Sequence, residues 1–188
     1  MSEQSTDRRY AVEASTITHE GDLSRVRVDR VRMPDGDWAD REIVEHPDAV
    51  AVVPVDAEGR VVLVRQYRHV LRGSQLEIPA GKLDVDGEAP PEAARRELIE
   101  EVGLDATGLT ELVCFHNSAG WTDEVTTVYL ATGLFEAAAP QGFVPKAEEA
   151  DMEVVRMPLA EAVAMAERGQ LTDSKTLIGL LLTRGRAG

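Results

Sequence analysis

The stretch that decides the fold is Ala80–Leu104, which reads A-G-K-L-D-V-D-G-E-A-P-P-E-A-A-R-R-E-L-I-E-E-V-G-L. It opens as a glycine loop, and the two prolines that follow are suited to the first turn of a helix. Gly103 is suited to a left-handed cap at the other end. The sequence therefore predicts a helix from about Pro91 to Val102.

The predicted helix has one apolar face and one acidic face. Its apolar residues recur every four positions, and three glutamates fall within little more than one turn on another face. Like charges at this spacing cost roughly 0.2 to 0.5 kcal/mol per pair unless a positive charge lies near them. A divalent cation is the obvious partner. The apolar stripe is Ala94, Leu98 and Val102, and the acidic group is Glu97, Glu100 and Glu101.

Length and charge limit the classes of function. A chain of 188 residues fits one domain, with room for an appended piece that contacts a second subunit. The net charge of -14 repels nucleic acid and anionic membranes, so neither is an expected partner. An anionic substrate would need a metal ion or local arginines.

The N-terminus and the single cysteine indicate the compartment. No apolar signal-peptide core and no membrane-length apolar window are present, so a soluble cytoplasmic protein is expected. Cys114 lies in the apolar run L-V-C-F and is interpreted as a core thiol rather than a nucleophile.

The chain divides into three predicted segments. Residues 1–9 form a lead without regular structure, and residues 10–45 form three strands with many charges and little core of their own. Residues 46–186 form the main domain, in which strands and helices alternate in a mixed order. Its predicted strands are Ala49–Val55, Val61–Tyr67, Leu76–Pro79, Leu112–Phe115, Val125–Ala131 and Met152–Arg156, and its later helices are Pro158–Arg168 and Asp173–Arg184.

The glycine loop and the acidic helix together resemble the Nudix box, a glycine and a glutamate followed by R-E-hydrophobic-x-E-E-x-G-hydrophobic. The spacing from Glu88 to Leu104 matches this pattern at every fixed position. One departure is that six residues, 82–87, separate Gly81 from Glu88, where the family usually has five. We expect a local bulge in the loop, and the role of Glu88 is left open.

The resemblance implies an α/β/α sandwich around a mixed sheet and an enzyme that hydrolyses a nucleoside diphosphate linked to another group. It implies Mg²⁺ or Mn²⁺ as cofactor, held by Glu97, Glu100, Glu101 and the carbonyl of Ala80. Carboxylate and carbonyl oxygens are the ligands that such cations prefer. Arg96 lies one turn from Glu92 and Glu100, so its expected task is to orient the acidic group.

Strings outside the box resemble the ADP-ribose pyrophosphatase subfamily. They are L-E-I-P-A-G-K, R-Q-Y-R and the terminal L-T-D-S-K-T-L. This resemblance implies hydrolysis of ADP-ribose to AMP and ribose 5-phosphate. It implies a glutamate that positions or deprotonates the attacking water, either Glu148 or Glu149, with Glu148 favoured. It also assigns Arg65 or Arg68, with Glu77, to the diphosphate and terminal ribose.

Both tryptophans have two interpretations. Trp121 either stacks on the base of the substrate or fills its loop. Members of the subfamily are commonly homodimers whose N-terminal sheet packs across the partner. Trp38 is then either part of that interface, the favoured interpretation, or a contact of the partner's adenine site.

Two alternatives to ADP-ribose hydrolysis stay open. One is a Nudix hydrolase of another nucleoside diphosphate compound, such as GDP-mannose or another nucleotide sugar, or NADH. The other is a module that binds ADP-ribose without hydrolysing it. The complete set of Glu97, Glu100, Glu101 and Arg96 argues against the second, because a binding module does not need a full metal site.

Overall fold

A computed structural model describes residues 9–139, 142, 144 and 150–186. The strands, numbered in chain order, are β1 (Val12–Glu20), β2 (Arg25–Arg32), β3 (Trp38–Glu45), β4 (Ala49–Pro54), β5 (Arg60–Arg68), β6 (Gly73–Glu77), β7 (Ala80–Lys82), β8 (Leu104–His116), β9 (Val125–Glu136) and β10 (Glu153–Pro158). The helices are α1 (Pro90–Val102), α2 (Leu159–Glu167) and α3 (Ser174–Thr183).

The chain forms two compact units. Of the described residues, the first unit contains those up to Pro47 together with 116–125, and the second contains 48–115 and those from Thr126 onward. The predicted boundary at residues 45 and 46 lies close to this division. The segment 116–125 belongs to the first unit, although the sequence assigned it to the main domain.

The first unit contains the antiparallel sheet β1-β2-β3. Charged residues alternate with few apolar ones along these strands, so β1 is exposed over its whole length and only Asp29 and Val31 of β2 are buried. The predicted N-terminal antiparallel sheet is therefore present. Backbone bonds tie the segment 116–125 to this unit, as the Val44 N–H donates to the Trp121 carbonyl at 2.7 Å.

The second unit contains a mixed sheet in the order β7-β4-β9-β8 and an antiparallel sheet in the order β10-β5-β6. Strand β4 runs parallel to β9 and antiparallel to β7. An isolated bridge between Val55 and Val61 connects β4 to the start of β5. The order of strands places β4, which is apolar at nearly every position, in the interior.

Two apolar cores cover the two faces of β4. Val50 and Val52 pack in one core with Ala94 and Leu98 of α1. Ala51 and Val53 alternate with them and pack in the other core, which includes Ala162 of α2 and Leu180 of α3. A strand buried on both faces needs a continuous apolar run, which explains its sequence. The predicted α/β/α sandwich around a mixed sheet is confirmed.

Two features of the second half differ from the sequence prediction. Strand β8 begins at Leu104 rather than near Leu112. Cys114 lies on the solvent-facing side of that strand and is exposed, so its interpretation as a core thiol was wrong. Within the described ranges, every helix is too short or too polar to cross a membrane.

Candidate active site

Helix α1 presents an acidic face because the local sequence determines its ends and its apolar stripe. Pro90 and Pro91 occupy the first turn, and the Glu92 carboxylate accepts a hydrogen bond from the Ala89 N–H at 3.1 Å. Gly103 ends the helix at a φ of 68°, a left-handed conformation that suits glycine. The buried residues of the helix are Ala93, Ala94, Leu98 and Val102.

Arg96 lies at the centre of the acidic group. Its Nε and Nη2 atoms donate to the two carboxylate oxygens of Glu88 at 3.0 and 2.9 Å. Its Nη1 atom donates to Glu97 at 2.5 Å and to Glu100 at 3.2 Å, and Nη2 also donates to the Lys82 carbonyl at 3.3 Å. The hydrogen bond to Glu88 is the largest of the effects that raise the pKa of Arg96. Arg96 thus joins three carboxylates to the loop backbone.

The extra residue between Gly81 and Glu88 is accommodated in a turn. The Glu88 N–H donates to the Val85 carbonyl at 3.1 Å, and Gly87 lies inside this turn. The bulge leaves the Glu88 carboxylate in contact with Arg96 through both of its oxygens. The role of Glu88, which was open from the sequence, is to hold the Arg96 guanidinium.

Gly81 lies directly against the Glu97 carboxylate. A Cβ atom added to Gly81 would lie 2.0 Å from both Cδ and Oε1 of Glu97, so glycine is what leaves room for this carboxylate. Burial raises the pKa of Glu97 and outweighs the opposing effect of the Arg96 charge. A carboxyl group whose ionised form is disfavoured by burial is one that a nearby cation would stabilise.

Glu101 contacts the same loop one turn further along α1. The Ala80 N–H donates to its Oε2 atom at 3.0 Å. Burial raises the pKa of Glu101 to about 8, although the hydrogen bond from Ala80 acts in the opposite direction. The loop that holds this carboxylate also carries the Ala80 carbonyl, so two of the predicted metal ligands are connected.

The donor set of this site fits a hard divalent cation. Mg²⁺ and Mn²⁺ prefer carboxylate and carbonyl oxygens, which Glu97, Glu100, Glu101 and Ala80 supply. Among the residues that the structure describes, no three His, Cys, Asp or Glu side chains converge as a ligand set. Arg96 holds the Glu97 and Glu100 carboxylates, while Glu101 accepts the Ala80 N–H. Metal binding by these residues therefore stays a prediction.

Arg68 and Glu77 form a second cluster in the same unit. Arg68 donates from Nε and Nη2 to the two Glu77 oxygens, both at 2.7 Å, and Gln75 and Lys175 donate to them at 2.9 and 2.5 Å. The Glu77 side chain is only 1% exposed. Burial alone would raise its pKa, but Arg68 and Lys175 lower the pKa of Glu77 to about 2. With both oxygens occupied, Glu77 would act on a substrate through Arg68, and this role stays a prediction.

The other predicted site residues form no hydrogen bond or ion pair with either cluster among the residues that the structure describes. Arg65 is exposed on β5 and donates from Nε to Glu153 at 3.3 Å. Trp38 and Trp121 belong to the first unit, and both are exposed; the Arg30 guanidinium lies 5.8 Å from the centre of the Trp38 ring. Glu148 and Glu149 lie outside the described residues.

Sequence reasoning did not identify Lys175 as the second cation on Glu77, nor Asp173 and Thr176 beside it. The available signal was the string T-D-S-K-T, in which an aspartate is followed three residues later by a threonine at a helix start. That signal predicts a capped helix. It contains no information on a buried carboxylate 98 positions away.

Comparison with known proteins indicates one family. The profile of the NUDIX domain matches residues 45–178. An ADP-ribose pyrophosphatase of Mycobacterium tuberculosis is 44% identical over 168 residues, 89% of this chain and 80% of that protein. A methanol dehydrogenase activator of Bacillus methanolicus is 38% identical over 85% of this chain and 84% of that protein. An ADP-ribose pyrophosphatase of Bacillus subtilis is 38% identical over 88% and 90%.

A solved structure shows the same fold. The crystal structure of an ADP compounds hydrolase matches with a TM-score of 0.81 over 94% of this chain and 93% of that chain, at 24% identity. This likeness shows the fold, and the family profile and the ADP-ribose pyrophosphatase relatives show the class, a pyrophosphohydrolase. The chain belongs to the Nudix family. The family and the enzyme class predicted from the sequence, a Nudix pyrophosphohydrolase, are confirmed.

Proposed function

We propose that the protein hydrolyses the diphosphate linkage of ADP-ribose to AMP and ribose 5-phosphate. The observation that supports this most is the carboxylate group on α1, where Glu97 and Glu101 are partly buried against the loop that contains Ala80 and Gly81. The substrate rests on the relatives, since the two ADP-ribose pyrophosphatases align over most of this chain at 44% and 38% identity.

The reaction depends on a divalent metal ion, and we propose Mg²⁺ or Mn²⁺ held by Glu97, Glu100, Glu101 and the Ala80 carbonyl. When bound there, such a cation neutralises charge on the diphosphate and lowers the pKa of a water molecule. Arg96 keeps the Glu97 and Glu100 carboxylates on one side of the helix through its own hydrogen bonds. Its guanidinium is in turn fixed by Glu88.

For the attacking water we propose Glu148 as the residue that positions or deprotonates it, with Glu149 as the other candidate. Separate Glu148→Gln and Glu149→Gln variants distinguish them when kcat is measured at saturating substrate and metal. The variant of the catalytic glutamate is expected to lose about 100-fold or more in kcat, which is the range typical of a general base. If both variants had the kcat of wild type, neither Glu148 nor Glu149 would be the catalytic base.

Arg65 and Arg68 are proposed to bind the diphosphate and terminal ribose end of the substrate. Arg68 has two of its nitrogens on Glu77, which fixes the plane of its guanidinium, whereas Arg65 is exposed and makes one bond to Glu153. A fixed guanidinium suits bidentate binding of phosphate oxygens. For Trp121 we retain the two interpretations, stacking on the base or filling its loop.

We also propose a homodimer that covers the exposed first sheet. Strand β1 is exposed throughout, and Val12, Ile17 and Trp38 are large apolar residues on this unit that contact solvent. Sedimentation velocity is expected to give the mass of two chains, and an active species with the mass of one chain would contradict the dimer. The cytoplasmic location stays a prediction.

A substrate panel tests the proposed function. Purified protein is incubated with ADP-ribose, GDP-mannose and NADH in Mg²⁺ and in Mn²⁺, and the products are separated by anion-exchange chromatography. We expect ADP-ribose to have a kcat/KM at least about tenfold above the others, because the polar groups of a site discriminate by this much or more. EDTA should abolish the reaction.

The same panel tests the alternatives. A higher kcat/KM for GDP-mannose or NADH would replace ADP-ribose by that compound. Tight binding of ADP-ribose that stays intact in excess Mg²⁺ and Mn²⁺ would instead indicate a binding module. Isothermal titration with ADP-ribose in EDTA provides the binding measurement for that comparison.

A further inference from the structure

The first turn of α3 makes a set of buried polar contacts with β6. We name Asp173, Lys175 and Thr176 the α3 clamp. They lie in the string L-T-D-S-K-T-L, in which Asp173 caps α3 by accepting the Thr176 N–H at 2.9 Å. A cap of this kind needs only the aspartate, so the further contacts of the clamp require another explanation.

Thr176 is fully buried and uses its hydroxyl group in both directions. Its Oγ1 atom donates to Asp173 Oδ2 at 2.5 Å and accepts the Ile78 N–H at 2.9 Å. Donation to Asp173 fixes the rotation of the hydroxyl, so that a lone pair points at the Ile78 peptide. The clamp therefore fixes the position of the Ile78 N–H, directly after the end of β6.

Lys175 makes the second contact with the same segment. Its Nζ atom donates to Glu77 at 2.5 Å and to Asp173 at 2.7 Å. Glu77 also accepts two bonds from Arg68, so two cations and two carboxylates are paired in this cluster. Residue 77 is thus held through its side chain, and the next residue is held through its N–H.

Each of the three residues after Glu77 is bonded through its backbone to a different element. The Ile78 N–H is bonded to Thr176 of α3, and the Pro79 carbonyl accepts the Val52 N–H of β4 at 2.8 Å. The Ala80 N–H donates to Glu101 of α1 at 3.0 Å. The position of the Ala80 carbonyl, relative to the carboxylates of α1, depends on all three contacts.

We infer that the α3 clamp is a positioning device for residues 78–80, the loop that enters β7 and carries a predicted metal ligand: through Ile78 and Glu77 it places Ala80 and its contact Glu101 for the cation. This inference rests on the proposed metal-dependent reaction and extends it to residues about 95 positions from the loop. Partners of metal ligands orient the ligands, and their loss typically costs about 10- to 100-fold in metal affinity or activity. The clamp residues do not touch the reacting atoms.

Thr176→Val tests the inference because valine keeps the shape of threonine and removes only the hydroxyl group. The Ile78 N–H then has no acceptor on α3, and only the bonds of Pro79 and Ala80 still hold the segment. We expect the Kd for Mn²⁺, measured by electron paramagnetic resonance without substrate, to rise about tenfold, and kcat to fall by a similar factor. Thr176→Ser restores the hydroxyl and should restore both values to within about twofold.

Thr183→Val is the matched control. Thr183 is also fully buried on α3, and its hydroxyl donates to the Gly179 carbonyl at 2.8 Å, a bond within the helix. Thr176→Val removes the two hydrogen bonds of a buried hydroxyl, and Thr183→Val removes the one hydrogen bond of another buried hydroxyl on the same helix. Thermal unfolding in EDTA reports the general loss of stability, which we expect in both variants and expect to be larger in Thr176→Val, because the Ile78 N–H also loses its acceptor. Only Thr176→Val should weaken Mn²⁺ binding by the folded protein.

If Thr176→Val does not fold, Lys175→Met provides the second test, because methionine keeps most of the side-chain volume and removes the bond to Glu77. A severalfold weaker Mn²⁺ affinity is expected for that variant. Equal Mn²⁺ affinities in the clamp variant and in Thr183→Val would overturn the inference. Wild-type protein that binds no Mn²⁺ would overturn both the inference and the metal-dependent reaction. A third outcome separates the two proposals. If the wild-type protein binds Mn²⁺ and Thr176→Val binds it more weakly, the clamp is supported. If the wild-type protein then fails to hydrolyse ADP-ribose, only the proposed substrate is overturned.

Discussion

Replacement of Glu101 by glutamine is expected to lower kcat by at least about 100-fold while the protein stays folded. Glutamine has the shape of glutamate, and its carbonyl oxygen can still accept the Ala80 N–H that Glu101 accepts at 3.0 Å. It carries no negative charge, so it is a poor ligand for a hard divalent cation. The loss of a ligand should cost at least as much as the upper range for its outer partners. Steady-state kinetics at saturating Mg²⁺ and circular dichroism measure the two properties.

The same variant has a second effect in protein stripped of divalent cations with EDTA. Burial raises the pKa of Glu101 from 4.5 to about 8, so between these pH values the native state binds more protons than the unfolded state. The stability that this carboxyl contributes is fully present below about pH 4.5 and is lost as the pH rises to about 8. Glutamine does not titrate. In EDTA, the midpoint temperature of unfolding should therefore fall less with rising pH in Glu101→Gln than in wild type.

Glu92→Gln on the same helix is the control for both measurements. The Glu92 side chain caps the first turn by accepting the Ala89 N–H, and glutamine can make the same bond. We expect its kcat and its pH dependence to match those of wild type. A Glu101→Gln protein with the kcat of wild type would remove Glu101 from the predicted metal ligands.

Local signals explain why the sequence predicted the helix and the central strand so closely. Helix α1 was predicted from about Pro91 to Val102, and in the structure it begins at Pro90 and ends at Val102. The agreement is close because prolines and a glycine mark the two ends and the apolar residues recur at the helical spacing. Strand β4 was predicted as Ala49–Val55 and ends at Pro54, because its apolar run is continuous. These signals depend on neighbouring residues alone.

Strand β8 shows where local signals were insufficient. Its first half contains Gly108 between Thr107 and Leu109, and an isolated glycine weakens the prediction of a strand when the sequence is read alone. In the structure this segment is paired within the sheet, and an added Cβ at Gly108 would lie 2.7 Å from Oγ1 of Thr132. Close packing against a later strand, which no nearby residue reveals, is what keeps this segment extended.

The candidate site divides in the same way. The acidic group and Arg96 were identified from the spacing on one helix, because residues three and four apart share a face. The pairing of Glu77 with Lys175 joins positions 98 apart, and the contact of Ile78 with Thr176 is equally distant. Such pairings depend on the packing of α3 against the sheet. A single sequence therefore identifies the ligands of the site more readily than the residues that position them.

Gly81→Ala is expected to lower kcat/KM by about 100-fold and to leave the stability of the protein nearly unchanged. The added Cβ would lie 2.0 Å from Cδ of Glu97, so this carboxylate must leave its place. The displaced atoms are the far end of a flexible side chain, which moves at little cost, and alanine also restricts the unfolded chain. Misplacement of a reacting group by about 1 Å costs on the order of 100-fold in rate. Gly73→Ala is the control, because its added Cβ meets nothing closer than 3.9 Å.

A double-mutant cycle tests whether Gly81→Ala acts through Glu97. Glu97→Ala removes the carboxylate with which the new Cβ collides, so Gly81→Ala should have little further effect on kcat/KM in that background. Two changes that act on one group are strongly non-additive, whereas independent changes multiply their effects on rate. If Gly81→Ala still lowered kcat/KM by about 100-fold in the Glu97→Ala protein, the glycine would serve the backbone of the loop itself. If it had no effect there, glycine would be required at position 81 because it leaves space for the Glu97 carboxylate.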